Sequence, residues 1–564
     1  MAQRPRTPQN ALQRQVGETA AMCARGWDML RHQGPGQIQF WFIALVIGSA
    51  AGFAAILFRY AIEGLQALVY GTPDVNTLAS FIEVLPWYLV VLIPMLGGIL
   101  VGLLLHYGTP DGRVRSVADV IEGAALNDGR VEKKAGMASA LCSMITLSTG
   151  GSTGREGPVV HIAALISSWV SNTIRADGIT GRDLLGCAVA AAVSASFNAP
   201  IAGALFALEV ILRHFALHAF APIVIASAAG TVINRLAFGD VTEFTLVEEG
   251  VLEFYLELPA FLLLGLTSGL IAVIMMRAVF FADDLETRIQ NRLGLPHWLR
   301  PALAGMILGL MALQYPHIIG VGYETLERAL TADLVLWNAV VFAIFKVIAV
   351  AVTMGGRMGG GMFSPSLMVG ALTGLAFGLI ATGIAPEISG AETLYALAGM
   401  GAVAAAVLGA PISTTLIVFE LTGDWQTGLA VMVSVSMSTA VASRLVDRSF
   451  FLTQLERRNV HLAAGPQAYL LAMFRVQGVM RKPTDPGSAS EEKVLSMIDQ
   501  GIWVRQSATL EVALPLFDKS GAAYLPVVTV DDDGTPTLQG VLYHVDALKA
   551  YNRALAATAA EEHS

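Results

Sequence analysis

Charged side chains are scarce in this chain of 564 residues: Asp, Glu, Lys and Arg make up 14% of it, where a soluble protein of this size carries about 25%. Cysteine is scarcer. Cys23, Cys142 and Cys187 stand far apart, which excludes a disulfide framework or a cysteine metal site and leaves three inert, buried thiols. Excess positive charge is also missing. The net charge of −9 excludes the basic face that nucleic-acid binding needs. The first 35 residues lack the apolar core of a signal peptide and carry Arg4, Arg6, Arg14, Arg25 and Arg31 instead. What fills the chain is apolar: 54% of the residues, with a mean hydropathy of +0.61.

From about Gln37 to Leu445 that apolar content is broken into stretches of two kinds. Phe40–Tyr70 and Trp87–His106 are long enough to cross a bilayer, which takes about 20 residues. Ala118–Leu126, Ala199–Leu212 and Ala410–Leu421 are too short, and predict half-spanning helices surrounded by protein. Interrupted helices of this sort point to a transporter's substrate site. The arginines before the first span predict a cytoplasmic N-terminal segment, 1–35. Arg444, Asp447, Arg448, Glu456, Arg457 and Arg458 mark the exit from the membrane at the other end. Beyond it, residues 476–551 read as a small α/β unit. It has a helix over Leu510–Ser520, a strand over Tyr524–Val530, a DDDG turn at 531–534, a strand over Leu538–Tyr543 and a helix over Val545–Tyr551.

The chain repeats itself. NAPIAGALFALE (198–209) matches GAPISTTLIVFE (409–420) at an offset of 211, and GREGP (154–158) matches GMFSP (361–365) at an offset of 207. Two landmarks in the same order define two halves, about 36–240 and 250–450.

The upstream pair carries the chemistry. GGSTGREGP (150–158) and GGGMFSP (359–365) each run from glycines into an apolar helix with a proline near its start. First-turn N–H groups have no intrahelical acceptor, and the helix dipole adds partial positive charge there. Glycines let an anion approach that backbone. Two such helix starts facing each other would hold a dehydrated anion without a formal positive charge. No GK[ST] follows either segment, so a phosphate loop is excluded. Glu156 is a carboxylate inside an apolar span, a functional candidate by default. At a helix start it can occupy the anion site itself and leave it when protonated or displaced, which is how a gate works. Glu209 and Glu420 are equivalent across the repeat and are read as capping or pairing groups at helix ends. Lys346 is read as a snorkelling or ion-paired lysine.

These segments, together with SFNAPIAGALFALE (196–209) and APISTTLIVFELTGDW (410–425), resemble the signature segments of the CLC family of chloride channels and chloride/proton antiporters, over residues 36–460 in order. The resemblance implies an all-α polytopic membrane protein, an inverted repeat of tilted, partly half-spanning helices. It implies a homodimer with one pore per subunit, chloride as the bound substrate ion, and no cofactor or metal. Glu156 falls on the gating glutamate. Gly154, Arg155 and Gly157 fall in the first anion motif and Gly361, Met362 and Phe363 in the second, the amides of Met362 and Phe363 meeting the central anion. Ser116 falls on a serine that donates its hydroxyl to that anion, although its neighbours read RSVAD (115–119) where the family has GSGIP. Phe451 stands at the family's coordinating tyrosine, without the hydroxyl. Val210 stands at the antiporters' inner proton-relay glutamate.

Residues 461–564 resemble a cytoplasmic pair of CBS modules. Val476–Met480 (VQGVM) resembles the opening of a first module that is cut short, and about 502–552 a fuller second one. Asp546 falls on a ribose-binding aspartate, but Tyr543 replaces the usual Ser/Thr, so a packing or dimerising role is expected rather than nucleotide binding. The shortened tail points to a bacterial inner membrane with both termini cytoplasmic. A passive, voltage- or pH-gated anion channel is therefore expected, with a chloride/proton antiporter as the alternative. A cation pore would need rings of carboxylates or carbonyls, which the core does not offer.

Overall fold

The computed structural model describes residues 36–562, except 73–76, 216, 240–253, 388, 390, 461, 463–470, 472–473, 483–488, 490 and 531–535. The N-terminal segment 1–35, the junction between the halves and the DDDG turn therefore lie outside the described residues. Among the described residues, seven helices are long and apolar enough to cross a membrane. Gln37–Tyr70 and Trp87–Gly108 are the two expected from their apolar runs.

The halves repeat helix by helix. Each opens on a long helix, Gln37–Tyr70 in the first and Phe254–Leu293 in the second. Trp87–Gly108 packs on Arg300–Ala312 across the repeat. The crossing is close enough that a Cβ on Gly98 would stand 2.2 Å from the Pro301 carbonyl oxygen. Glycine at such crossings lets backbones touch.

The central helices of each half are Glu156–Ile174 with Gly178–Phe197, and Phe363–Ile384 with Glu392–Leu408. Gly178–Phe197 and Glu392–Leu408 are almost wholly buried. Each ends on a left-handed residue, Asn198 at φ 55° and Gly409 at φ 70°. The two residues are equivalent in the repeat, and asparagine and glycine are the types that accept this backbone. Each turn then starts a short helix with proline at its head: Pro200–Leu212, whose last six residues widen into a π turn, and Pro411–Thr422. With Val117–Leu126, these are the three half-length helices that the broken apolar runs predict.

The C-terminal region is a small α/β unit. Strands β1 (Val504–Arg505), β2 (Tyr524–Val530) and β3 (Pro536–Tyr543) form one sheet in that order, β1 parallel and β3 antiparallel to β2. A bulge interrupts the register between Val527 and Val528. Leu510–Ser520 is helical as expected, and the final helix begins at His544. Val476–Val479 forms a short helix whose Val476 lies in the same apolar core as Val504, Phe517, Leu525 and Leu542. The next residue but one, Arg481, exchanges two backbone hydrogen bonds of 2.9 Å with Val541.

Candidate functional site

The two glycine-rich segments meet. Gly154 N–H donates to the Gly361 carbonyl and Gly361 N–H donates to the Gly154 carbonyl, each at 2.8 Å, in an antiparallel bridge. Gly154 and Gly361 are equivalent in the repeat. Reciprocal, antiparallel bonding of equivalent residues puts a two-fold axis between them, so the repeat is inverted at this point. The approach leaves no room for side chains: a Cβ on Gly360, whose φ is +127°, would lie 2.1 Å from the Thr153 hydroxyl. That hydroxyl donates to the Gly361 carbonyl at 2.9 Å.

From this bridge two helices depart. Arg155 is the N-cap of Glu156–Ile174, and Met362 is the N-cap of Phe363–Ile384. Glu156 and Phe363 are thus the first residues of equivalent helices. Phe363 buries its ring against Phe197 and Phe206, at centroid distances of 4.7 and 5.7 Å. Its backbone N–H and that of Met362 remain at the helix start, where no intrahelical acceptor exists.

Glu156 is 2% exposed. Its Oε1 accepts a 2.6 Å hydrogen bond from the Ser364 hydroxyl and lies 3.5 Å from the Tyr323 hydroxyl. The Arg155 guanidinium is 3.9 Å from the same oxygen and stands over the Tyr323 ring at 5.2 Å. Oε2 has no hydrogen-bond partner among the described residues and lies 2.6 Å from where a Gly154 Cβ would be. The carboxylate is therefore held by one strong donor, one marginal one, a neighbouring cation and its own helix dipole. All four favour a negative charge at that spot, whether it belongs to Glu156 or to an ion that displaces it.

Ser116 departs from its expected surroundings. Its helix start is closed by Asp119, whose carboxylate accepts from the Ser116 N–H at 2.7 Å. Asp119 is in turn paired with Arg458 at 2.8 Å. The Ser116 hydroxyl contacts Gln454 Oε1 at 3.4 Å and Asp119 Oδ2 at 3.5 Å, both long. An acid three residues after the serine makes a capping box, which replaces the missing glycines and proline of the first motif. Phe451 is 3% exposed and meets Phe450 edge to face at 5.9 Å. One turn along the same helix, Gln454 is the group that reaches Ser116.

Ser116 and Gln454 also line a cavity of about 310 Å³ that extends to Gly359 and Gly360 at the head of the second motif. Glu156, Met362, Phe363 and Phe451 are not on its wall. Val210 is buried within the π turn Ala207–Leu212.

Lys346 corrects the sequence reading. It neither snorkels nor forms an ion pair among the described residues. Fully buried, its ammonium donates to the carbonyls of Gly320 at 2.9 Å and Ile318 at 3.3 Å, tying down the loop that leads into Tyr323. Ser364, Tyr323 and Gln454 escaped the sequence reading. Ser364 lies inside GMFSP and could have been found from the motif itself, whereas the other two carry no local signal.

Bridged helix starts around a buried carboxylate, set in an inverted repeat of broken membrane helices, define an anion-transporting membrane protein. The family model described as "Voltage gated chloride channel" matches residues 97–443. A ClcB-like chloride channel protein of Ralstonia nicotianae is 31% identical over 397 residues, 70% of this chain and 91% of that protein. The chain belongs to this CLC family of voltage-gated chloride channel proteins. Two solved structures share its fold. A slow cyanobacterial Cl−/H+ antiporter superposes with a TM-score of 0.66 at 21% identity, over 75% of this chain and 98% of that one. A eukaryotic CLC transporter gives 0.63 at 18% identity, over 90% and 97%.

Proposed function

We propose that this protein conducts chloride or a similar small anion passively, with the Glu156 carboxylate as the gate. The observation that carries this reading is the set of groups around Glu156. Ser364, Tyr323, Arg155 and a helix start all face the Glu156 carboxylate, and no second carboxylate among the described residues shares the site. A transported ion and the Glu156 side chain compete for one place, so conduction follows protonation or displacement of the side chain.

Passive flow is favoured over obligatory proton exchange by what lies on the inner side. Exchange needs a titratable group between the cytoplasm and Glu156. Val210 cannot carry a proton, and Phe451 brings no hydroxyl. The adjacent acid, Glu209, is committed elsewhere: it accepts from the Ile412 and Ser413 N–H groups at 2.9 and 2.8 Å and from the Ser413 hydroxyl at 2.6 Å. Proton exchange is the second reading, favoured by the likeness to a structure described as a Cl−/H+ antiporter. We further infer a homodimer in a bacterial inner membrane, with the tail in the cytoplasm as a packing or dimerising unit.

The test reconstitutes the protein in a bilayer with equal chloride on both sides and a pH gradient. A passive channel keeps its reversal potential at zero. A reversal potential that follows the pH gradient rejects passive flow. In parallel, Glu156→Gln should remove the dependence of chloride flux on pH and voltage; an unchanged dependence in folded protein removes Glu156 from the gate.

A further inference from the structure

The cavity beside Ser116 is richer in cations than chloride passage requires. Four arginines line it, Arg113, Arg357, Arg457 and Arg458, against one carboxylate, Asp283. Three of the four are neutralised. Arg113 pairs with Asp111 at 2.6 Å, Arg458 with Asp119 at 2.8 Å, and Arg457 with Asp284 and, at 3.7 Å, with Asp283. Asp283 is also shared with Arg300 at 2.8 Å. Arg357 makes no ion pair among the described residues. Its one hydrogen bond, Nη1 to the Gly112 carbonyl, is 3.5 Å long, the limit of such a bond.

The backbone at Arg357 is that of a helix end. Its φ is +57°, in the left-handed region that glycine occupies without cost and arginine does not. It follows Gly355 and Gly356 and is separated by Met358 from the three glycines of the second motif, GGRMGGG (355–361). Arg357 is the residue that closes the helix Leu336–Gly355, where Met358 N–H donates to the Thr353 carbonyl at 3.1 Å, so the helix end itself accounts for the conformation. The guanidinium lies on the cavity wall two residues before Gly359 and has no carboxylate within ion-pair distance among the described residues, although Asp111, Asp283 and Glu286 act on it from farther off.

We infer that this cavity is a binding site for a multivalent phosphate-type oxyanion, which on binding closes the pore from the tail side. A guanidinium presents paired N–H donors whose spacing matches two oxygens of one oxyanion, a two-point fit that a single spherical halide does not offer. A volume of about 310 Å³ admits an anion far larger than chloride. An ion held there lies against Gly360 and Ser116, on the approach to the two anion motifs, so its charge and bulk exclude chloride. This site rests on the anion-transport reading but is separate from the Glu156 site.

The experiment measures chloride flux through the full-length protein in liposomes, with sodium pyrophosphate or inorganic phosphate added to each side in turn and methanesulfonate as a monovalent control. Inhibition by pyrophosphate from one side only is expected, with phosphate weaker and methanesulfonate inactive. Arg357→Gly suits the left-handed backbone and should fold. It should keep chloride flux and weaken the inhibition by about tenfold or more. Arg357→Lys keeps the charge without the fork and should fall between. Absence of chloride flux in the unmodified protein refutes the transport reading itself. Flux that pyrophosphate does not inhibit, or inhibition unchanged in Arg357→Gly, overturns the site. So does a loss of chloride flux in Arg357→Gly, which would make Arg357 part of the chloride path.

Discussion

Glu209 and Glu420 each cap the helix that carries the other. Glu420 accepts from the Ile201 and Ala202 N–H groups at 2.9 and 2.7 Å, at the head of the helix bearing Glu209. Glu209 does the same for Ile412 and Ser413. Two apolar half-helices thus close each other's open donors where no intrahelical acceptor exists. Glu420→Ala leaves two N–H groups unpaired and should cost about 0.5–2 kcal/mol, read as a lower Tm in detergent, with chloride flux of the folded protein unchanged. Lost flux at an unchanged Tm would assign the residue to transport instead.

If Glu156 is the gate, Ser364 sets how firmly it is held. Its 2.6 Å bond to Glu156 is charge-assisted, and bonds of this class are worth about 1.5–3 kcal/mol. Ser364→Ala should therefore shift the closed–open balance towards open by about tenfold to a hundredfold. Single-channel open times, or the voltage midpoint of macroscopic currents, report this directly. An unaltered balance would mean that Ser364 does not hold the closed state.

Phe451→Tyr restores the hydroxyl that resemblance expects at this position. If that hydroxyl reaches the central ion, chloride binding should tighten by the worth of one hydrogen bond, about 0.5–1.5 kcal/mol. Titration calorimetry of purified protein measures it. An unchanged chloride affinity would show that the Phe451 position is not at the ion, and would leave Gln454 as the polar group that its helix contributes.

In the tail, the Arg481 guanidinium hydrogen-bonds Asp546 at 2.7 Å and holds that carboxyl below its ordinary range. Arg481 also lies over the Tyr543 ring at 4.4 Å. Because the folded value lies below the unfolded one, the pair stabilises the tail at neutral pH, and that gain is lost as pH falls through the lowered value. The pair is partly exposed, so its worth is about 1 kcal/mol at most. The protection of the Arg481 and Val541 amides from hydrogen exchange, taken relative to the intrinsic rate at each pH, should fall in acid. Asp546→Asn should exchange faster at neutral pH and lose that acid response.

The parts of the fold legible in sequence were those with a local cause. Run length separated spanning helices from half-length ones, and the prolines at 200 and 411 marked where two of the latter begin. Offsets between paired motifs revealed two halves before any contact was known. Glu156 stood out as an acid in an apolar run. What stayed hidden depends on distant pairing. Tyr323 reaches Glu156 across 167 positions and Gln454 reaches Ser116 across 338. The partners of Lys346 are not legible in sequence because only folding brings the Ile318 and Gly320 carbonyls to it. Strand β1, two residues long, is too short to show an alternation.

The bridge between Gly154 and Gly361 bears on what kind of movement can carry an ion through. Many transporters with inverted repeats alternate access by rocking one half against the other about a midplane site. In this chain the halves are stitched together by two 2.8 Å hydrogen bonds, and rocking would strand four polar groups away from water at membrane depth. Under the proposed gating, the bridge therefore resists rocking at this point, and opening falls to the Glu156 side chain. On that reading, the rotamer kinetics of Glu156, rather than the reorientation of a domain, would limit turnover.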